Sequence, residues 1–363
     1  TGLDAIDVWH DTHTFSEALT ILRARYDFDG ILVNLPGRDP AWREHVRSEE
    51  TDAEGNRLLR WSDGSVTVAP PDDNPHVYTA DGEERRVAFE EVDPAALFYV
   101  EPHELNGLTY PYAWGPVGET APPGGPDFFP PWHLDTLRAV RTRAGADVSV
   151  HAELFSPFTQ LMELVGYTEG LMALLIDEGK CRAILQRLAE GAVCLGRLYA
   201  AEDIDALLVS SAFVGGGFIS RDHYRRFEAP YLRAIVEGVH GARPDLPVYV
   251  HTCGAIGDRL DLLEGTGVDG IDTLDPPPIG TVELADALET LGKRVFIKGN
   301  VDPVHTVLQG TPDQVRADAL ARLRTAAPGG AYILSTACSV PPAAPPENIV
   351  ALREAVDDYV REG

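Results

Sequence analysis

The sequence predicts an α/β fold: a (β/α)8 TIM barrel with a long insertion between its second and third strands. Three observations carry that expectation. Short β-branched or apolar runs alternate with longer amphipathic stretches, as repeated βα units on a parallel sheet do. Eight such short runs can be counted along the chain, the number a closed barrel requires. Two residues with metal-binding chemistry, His251 and Cys338, fall at or just past the ends of two of these runs, on the face where barrels of this kind place their active sites.

In chain order the expected strands are Ile6–Trp9, Gly30–Asn34, Asp147–Val150, Ala206–Val209, Val248–Val250, Gly270–Thr273, Val295–Ile297 and Tyr332–Leu334. Helical periodicity fits between them at Phe15–Arg25, Leu134–Arg143, Tyr167–Ala200, Arg221–Val239, Ile256–Thr266, Thr281–Leu291 and Pro312–Ala326. Several helices carry start signals. Ser220 precedes Arg221-Asp222-His223, Thr311-Pro312-Asp313 sets proline at the first helical position, and Pro345-Pro346-Glu347 opens the last helix; hydroxyls at the N-cap and proline just inside are favoured there. A doubly wound open sheet would alternate in the same way, so the barrel rests on the strand count together with the site.

Residues 35–146 interrupt the rhythm. Within them, Arg57–Pro70 reads as a hairpin about Ser62-Asp63-Gly64-Ser65, and Pro111–Pro131 is rich in proline and glycine. Loops of this length in a compact domain usually serve as lids or binding elements. The expected organisation is therefore one barrel domain over residues 1–363, with 35–146 as an insertion covering the barrel mouth.

Composition narrows the function classes. The chain has 57 Asp and Glu against 30 Lys and Arg, a formal charge of -27, which repels phosphate backbones and argues against a nucleic-acid partner. No run approaches the roughly 18–20 apolar residues of a membrane span, and no basic-then-apolar leader opens the chain. A cytoplasmic protein with no membrane partner is expected. The four cysteines are too few for a disulfide framework in a chain this long, and reduced thiols fit that compartment. Cys181 and Cys194 lie in a helical stretch and read as small buried hydrophobes.

Cys253 and Cys338 differ, because each follows a strand: Cys253 in His251-Thr252-Cys253-Gly254 and Cys338 in Ser335-Thr336-Ala337-Cys338. A nitrogen and two sulfurs suit zinc, and three protein ligands leave the open position of a catalytic site. Two thiolates make zinc a poor generator of hydroxide and a good partner for a substrate thiol. An isolated His-x-Cys is common without a metal; on the residues alone, a metal site and unconnected polar positions both stay open.

Other residues fall near the same face. Glu153, past strand three, and His10 and His13, past strand one, are candidates for a displaceable fourth ligand or a proton acceptor for the incoming thiol. Asp272 and Asp275 follow strand six, and Lys298, Asn300 and Asp302 follow strand seven. Asp272, Lys298 and Asn300 are substrate-binding candidates, with Lys298 meeting an anionic group; a salt bridge within the rim is the alternative. Gly215-Gly216-Gly217 lacks the Lys-Ser/Thr ending of a P-loop and reads as a flexible loop beside the site. Arg221, His223 and Arg225 read as a solvated helix face.

Three stretches resemble the uroporphyrinogen decarboxylase superfamily: Val250-His251-Thr252-Cys253-Gly254, Lys298-Gly299-Asn300-Val301-Asp302-Pro303, and Leu334-Ser335-Thr336-Ala337-Cys338 running into Pro345-Pro346-Glu347-Asn348. The likeness extends from about Asp147 to the C-terminus, with an echo at Phe28–Asn34. Within that superfamily, His-x-Cys with a late Cys is similar to the zinc-dependent, cobalamin-linked methyltransferases and coenzyme M alkyltransferases. The resemblance implies that His251, Cys253 and Cys338 hold zinc. It also implies a small-molecule thiol such as coenzyme M or homocysteine as acceptor, and methyl on a corrinoid as donor. An epoxide opened by the thiolate, as in epoxyalkane:thiol transfer, is the donor in one subgroup.

The decarboxylase branch carries an Arg-rich N-terminal segment and a catalytic Asp just after strand two, where this chain has Val33-Asn34-Leu35-Pro36. Relatives often carry paired acids after strand four, where this chain has Ser210-Ser211; Ser211 becomes a substrate-binding candidate. The sequence thus predicts a zinc-dependent transferase that activates its thiol as a zinc thiolate. Cobalamin is the methyl donor, carried by a partner corrinoid protein or free, and a homodimer is compatible with the chain. A uroporphyrinogen-decarboxylase-like enzyme and a non-enzymatic zinc or corrinoid binding module are the rivals.

Overall fold

The computed structural model describes residues 1–71, 75–82, 86–102 and 124–362. They divide into two compact units, Thr1–Arg25 with Asp29–Asp205, and Tyr26–Phe28 with Ala206–Gly363. Among the described residues there are seven parallel strands, where eight were expected.

The first unit opens with helix α1, Ala5–His10, and helix α2, Thr12–Tyr26. The expected strand Ile6–Trp9 is therefore helical. Its start signal is Asp4, whose carboxylate accepts from the Ile6 and Asp7 amides, the N-cap role that satisfies otherwise orphaned donors. A stretch of four residues is too short to distinguish strand from helix by periodicity. His10 and His13 consequently lie on helices and not at a strand end.

Strand β1, Gly30–Val33, pairs in parallel with β6, Ser149–Phe155, with Ile31 opposite Val150. Between them in sequence come β2 (Val46–Thr51), β3 (Arg57–Trp61), β4 (Val66–Ala69) and β5 (His76–Tyr78), which form an antiparallel sheet in that order. The expected hairpin is there. Gly64 takes φ +92° in the turn, Asp63 accepts from the Ser65 amide at 2.9 Å, and Asp63-Gly64 is the residue pair such turns favour. Trp61, buried, donates from Nε1 to Thr67 Oγ1 at 2.7 Å and joins Ile6, Trp42, Leu59 and Ala69 in one apolar cluster. The tract Pro111–Pro131 lies outside the described residues as far as residue 123.

Helix α3, Asp135–Ala144, follows the expected span within a residue. The helix expected over Tyr167–Ala200 is two: α5 (Tyr167–Ile176) and α6 (Glu178–Ala200), divided at Asp177, whose side chain caps α6. Helix α4, Pro157–Val165, capped by Ser156, was not foreseen. Of the two helical cysteines Cys181 is buried as expected and Cys194 only half-buried; burial pushes the Cys181 thiol up to about 11 and that of Cys194 upward.

The second unit holds β7 (Ala206–Ser210), β8 (Val248–Thr252), β9 (Gly270–Thr273), β10 (Phe296–Val301) and β11 (Tyr332–Thr336), each parallel to the next. Leu207, Val209, Val248, Val250, Ile271, Ile297 and Val301 are buried along them, as strands covered on both faces demand. The helical stretch at Arg221 breaks at Glu228 into α7 (Arg221–Phe227) and α8 (Ala229–Ala242); Pro230 has no amide hydrogen for a continuous ladder. Ser220 caps α7, and Thr311 with Gln314 forms a capping box on α11 (Pro312–Ala326). Helices α9 (Leu260–Glu264) and α10 (Leu284–Leu291) are short, and α12 (Pro346–Glu362) packs on α11 through Ala319, Leu323 and Ala355. No helix among the described residues is long and apolar enough to cross a membrane.

Candidate metal centre

Four neighbouring strands of the second unit supply the site. His251 is the fourth residue of β8, Cys253 follows that strand, and Cys338 stands two residues beyond β11. Their ligand atoms, one nitrogen and two sulfurs, all lie within 4.8 Å of one another, the one such group of three among the described residues. His251 Nε2 is 3.1 Å from Cys253 Sγ, and the two sulfurs are 3.7 Å apart. All three side chains are half-buried.

Each ligand is fixed by the backbone around it. The Ala337 amide donates to the Val301 carbonyl at 2.7 Å, extending the β10–β11 ladder to the residue before Cys338. Thr336 Oγ1 donates to the Cys338 carbonyl at 2.7 Å. After Cys253 the chain turns through Gly254 at φ +81°, and the Gly254 amide donates to Asp275 Oδ2 at 2.6 Å. The Gly215–Gly217 segment is tied down and is not a free loop. The Gly216 amide donates to the Ala255 carbonyl at 2.7 Å, while buried Arg259 donates from Nη1 to the Val214 and Ile219 carbonyls at 2.5 and 3.2 Å. Arg259 gave no sequence signal; a buried guanidinium tying down loop carbonyls has no fixed spacing to read.

Strand register decides what surrounds His251. Asp272 on β9 is its direct neighbour across one side, and Lys298 on β10 is the next in the same row. Asp272 Oδ2 lies 3.1 Å from His251 Nδ1 and its Oδ1 accepts from Lys298 Nζ at 2.7 Å. Thr273 Oγ1 lies 2.9 Å from the same Nδ1. The sequence reading placed Asp272 and Lys298 past their strands. Both sit inside them: Asp272 is the third residue of β9, whose span Gly270–Thr273 is the expected one, and Lys298 lies within β10 because that strand runs on to Val301.

The electrostatics suit a cation. Burial pushes the Asp272 carboxyl up, but the hydrogen bond with His251 and the Lys298 charge outweigh it and hold the group below the usual carboxylate range. Burial likewise opposes charge on His251, yet its hydrogen bonds with Asp272 and Cys338 raise it to about 10. The Cys253 hydrogen bond, followed by that of His251, lowers Cys338 to about 4, while the interaction with Cys338 and burial push Cys253 well up. Two thiols this close cannot both ionise unaided. A divalent cation between them removes that conflict, and the nitrogen-and-two-sulfur donor set fits zinc with one position to spare.

The remaining candidates are placed differently. Ser211 is buried and donates from Oγ to Glu228 Oε1 at 2.6 Å; Glu228, also fully buried, was missed by the sequence reading. Asn300 is 1% exposed with both amide ends engaged, Nδ2 donating to the Leu274 carbonyl at 2.9 Å and Oδ1 accepting from Arg322 Nη1 at 2.6 Å. It fastens the exit of β9, where Thr273 and Leu274 take φ +101° and +49°. Asp275 is buried, and burial raises its carboxyl.

Glu153 belongs to the first unit, within β6 and not past it. Its charge is among the causes that raise the buried hydroxyls of Tyr99 and Tyr199, after burial itself. His10 is buried against the Trp42 and Trp61 rings, and burial lowers it to about 3. His13 lies in α2.

Comparison with known proteins adds four findings. The family profile described as Uroporphyrinogen decarboxylase (URO-D) matches residues 124–359. The methylcobamide:CoM methyltransferase MtaA of Methanosarcina barkeri (strain Fusaro) is 24% identical over 226 residues, 62% of this chain and 63% of that protein. The uroporphyrinogen decarboxylase of Alkalilimnicola ehrlichii is 27% identical over 230 residues, 61% of this chain and 60% of that one. Each match thus spans less than two thirds of the relative's length. Among solved structures, a methyltransferase from Methanosarcina mazei superposes with a TM-score of 0.65 at 18% identity, over 96% of this chain and 86% of that one, a likeness of fold alone.

Proposed function

Because the chain belongs to the uroporphyrinogen decarboxylase family, we propose that it works as that family's methyltransferases do, moving a methyl or other alkyl group onto the sulfur of a small thiol. The convergence of His251, Cys253 and Cys338 within 4.8 Å is the observation that carries this reading. Those three residues would hold zinc. Bound there, zinc supplies acidity to a coordinated thiol, so that a sulfur nucleophile exists near neutral pH.

The chain's own residues contribute placement. His251, Cys253 and Cys338 would supply three ligands to zinc and leave room on it for the acceptor. Gly254 and Asp275 hold the turn that carries Cys253, and the Ala337 amide anchors the approach to Cys338. Holding the acceptor sulfur in one position ahead of the alkyl carbon replaces a bimolecular encounter with an oriented one. The donor on this reading is a methylcorrinoid, free or on a partner protein, in keeping with the methylcobamide in the name of the M. barkeri relative, and coenzyme M is the first thiol to test.

X-ray absorption at the zinc edge, with and without coenzyme M or homocysteine, tests the proposal. The expected result is one nitrogen and two sulfurs from protein, with a third sulfur when the acceptor is added and a thioether formed on supplying methylcobalamin. A metal-free protein that retains full activity would sink it, as would a zinc shell that no thiol enters.

Decarboxylases stand among the relatives, one of them from Prochlorococcus marinus at 36% identity over 139 residues. That reading is separated by supplying uroporphyrinogen: carbon dioxide release from protein stripped of metal would favour it over thiol alkylation.

A further inference from the structure

We propose that Asp272, backed by Lys298, is a positioning residue that fixes the His251 ring so that Nε2 is the nitrogen presented beside Cys253 and Cys338; the inference rests on the metal reading above. His251, Asp272 and Lys298 occupy one row across β8, β9 and β10, each paired in register with the next. The strand ladder alone therefore brings the three side chains to one face. The contacts in the row divide Asp272 between its neighbours, one oxygen to each: Oδ2 at 3.1 Å from His251 Nδ1 and Oδ1 at 2.7 Å from Lys298 Nζ.

A carboxylate only accepts, so Nδ1 carries a ring hydrogen and Nε2 is the nitrogen left to offer its lone pair to a cation. Nε2 is the nitrogen that faces the sulfurs, 3.1 Å from Cys253 Sγ. A ring held at Nδ1 by the carboxylate, with Thr273 Oγ1 at 2.9 Å on the same atom, can neither flip nor exchange tautomers without breaking these contacts. Lys298 acts one step further away, since anchoring Oδ1 stops the carboxylate from rotating off the ring. The Asp272 side chain is 9% exposed and that of Lys298 is 26% exposed. The ammonium thus makes a salt bridge within the row, the alternative the sequence offered beside a substrate contact.

Partners of this kind to a ligating histidine typically govern metal affinity by roughly 10- to 100-fold. A plain cross-strand ion pair would leave metal binding untouched, which makes the two roles separable. The test uses the full chain stripped of metal. Zinc affinity is measured by competition with a chromophoric chelator, and the visible spectrum is recorded after cobalt(II) substitution.

Asp272→Asn is expected to weaken zinc by roughly 10- to 100-fold and to shift the cobalt bands, with Asp272→Glu recovering part of both. Lys298→Met is expected to weaken zinc less. Because Lys298 works through Asp272, the double variant should bind no more weakly than Asp272→Asn alone. Unchanged affinity and spectrum in Asp272→Asn overturn the proposal, and so do losses that multiply in the double variant. Should Asp272→Asn fail to fold, the half-buried Lys298→Met carries the test, and wild-type affinity with a wild-type spectrum there overturns the relay. If the unaltered chain takes up neither zinc nor cobalt, the metal reading itself falls; if it binds both and the variants match it, only the positioning role falls.

Discussion

At Gly215 an added methyl group would stand 2.5 Å from the Cys253 carbonyl oxygen and 3.3 Å from the Ala255 amide nitrogen, whereas at Gly217 it would meet nothing within 4 Å. Neither neighbour of Gly215 is a side-chain tip that can swing away; both are backbone of the segment that carries Cys253. Gly215→Ala should therefore displace Cys253, lowering zinc affinity and costing about 1–3 kcal/mol, the usual range for overpacking. Gly217→Ala should stay within about 0.5 kcal/mol of the parent. Urea unfolding and a metal titration on both variants check the contrast, and a Gly215→Ala protein that binds zinc normally would show the close approach to be incidental. From sequence this triplet reads as a flexible loop beside the site, because composition records the lack of side chains and not what passes against the backbone.

Elements were legible where periodicity ran long. Strands β7 to β11 all lie close to their expected positions, and β9 spans Gly270–Thr273 as expected. Their C-terminal ends were set too short on β7, β8, β10 and β11, since Ser210, His251, Lys298 and Ser335 are polar and a reader of hydrophobicity stops at them. The convergence of His251, Cys253 and Cys338 survived that error, because side chains one or two residues either side of a strand end still reach the same corner. A salt bridge within the rim was an open alternative in the sequence, but Asp272 could not be singled out as the partner of Lys298, as strand register has no one-dimensional signature.

Helix α1 was lost for a different reason: its six residues show too few turns for a period, and the deciding signal is the single cap at Asp4. Asp4→Ala should cost about 0.5–2 kcal/mol, and Asp4→Asn, which keeps an acceptor at the cap, distinctly less. Chemical denaturation followed by tryptophan fluorescence measures this, since Ile6 of α1 packs with Trp42 and Trp61. Equal losses in the two variants would assign the effect to the Asp4–Arg57 ion pair instead of the cap.

On the scale of the whole molecule, two buried histidines contribute to the response to acid. Burial lowers both His10 and His133 from the ordinary 6.5 to about 3, and neither His10 ring nitrogen has a hydrogen-bond partner among the described residues. Between those values the unfolded chain binds a proton at each site that the folded chain refuses. Folding stability from this source is therefore complete above pH 6.5, falls as the pH drops toward 3, and levels off below it. Each histidine should contribute a slope of about 1.4 kcal/mol per pH unit inside that window. His10→Phe, which keeps an aromatic ring between Trp42 and Trp61, should flatten the acid limb by one such slope relative to the parent. Equilibrium unfolding at pH 4, 5, 6 and 7 is the measurement, and parallel curves would show that His10 is not refused its proton.

The row of His251, Asp272 and Lys298 also bears on how the second unit could be altered by design or by drift. Successive residues of a strand face opposite ways, so inserting or deleting one residue ahead of Asp272 would turn its carboxylate to the far side of the sheet and bring a neighbour's side chain into the gap. Substitutions can wear such a centre down by degrees. A change of strand length removes it in one step, and for this centre β8, β9 and β10 behave as a single word whose spelling tolerates no added letter.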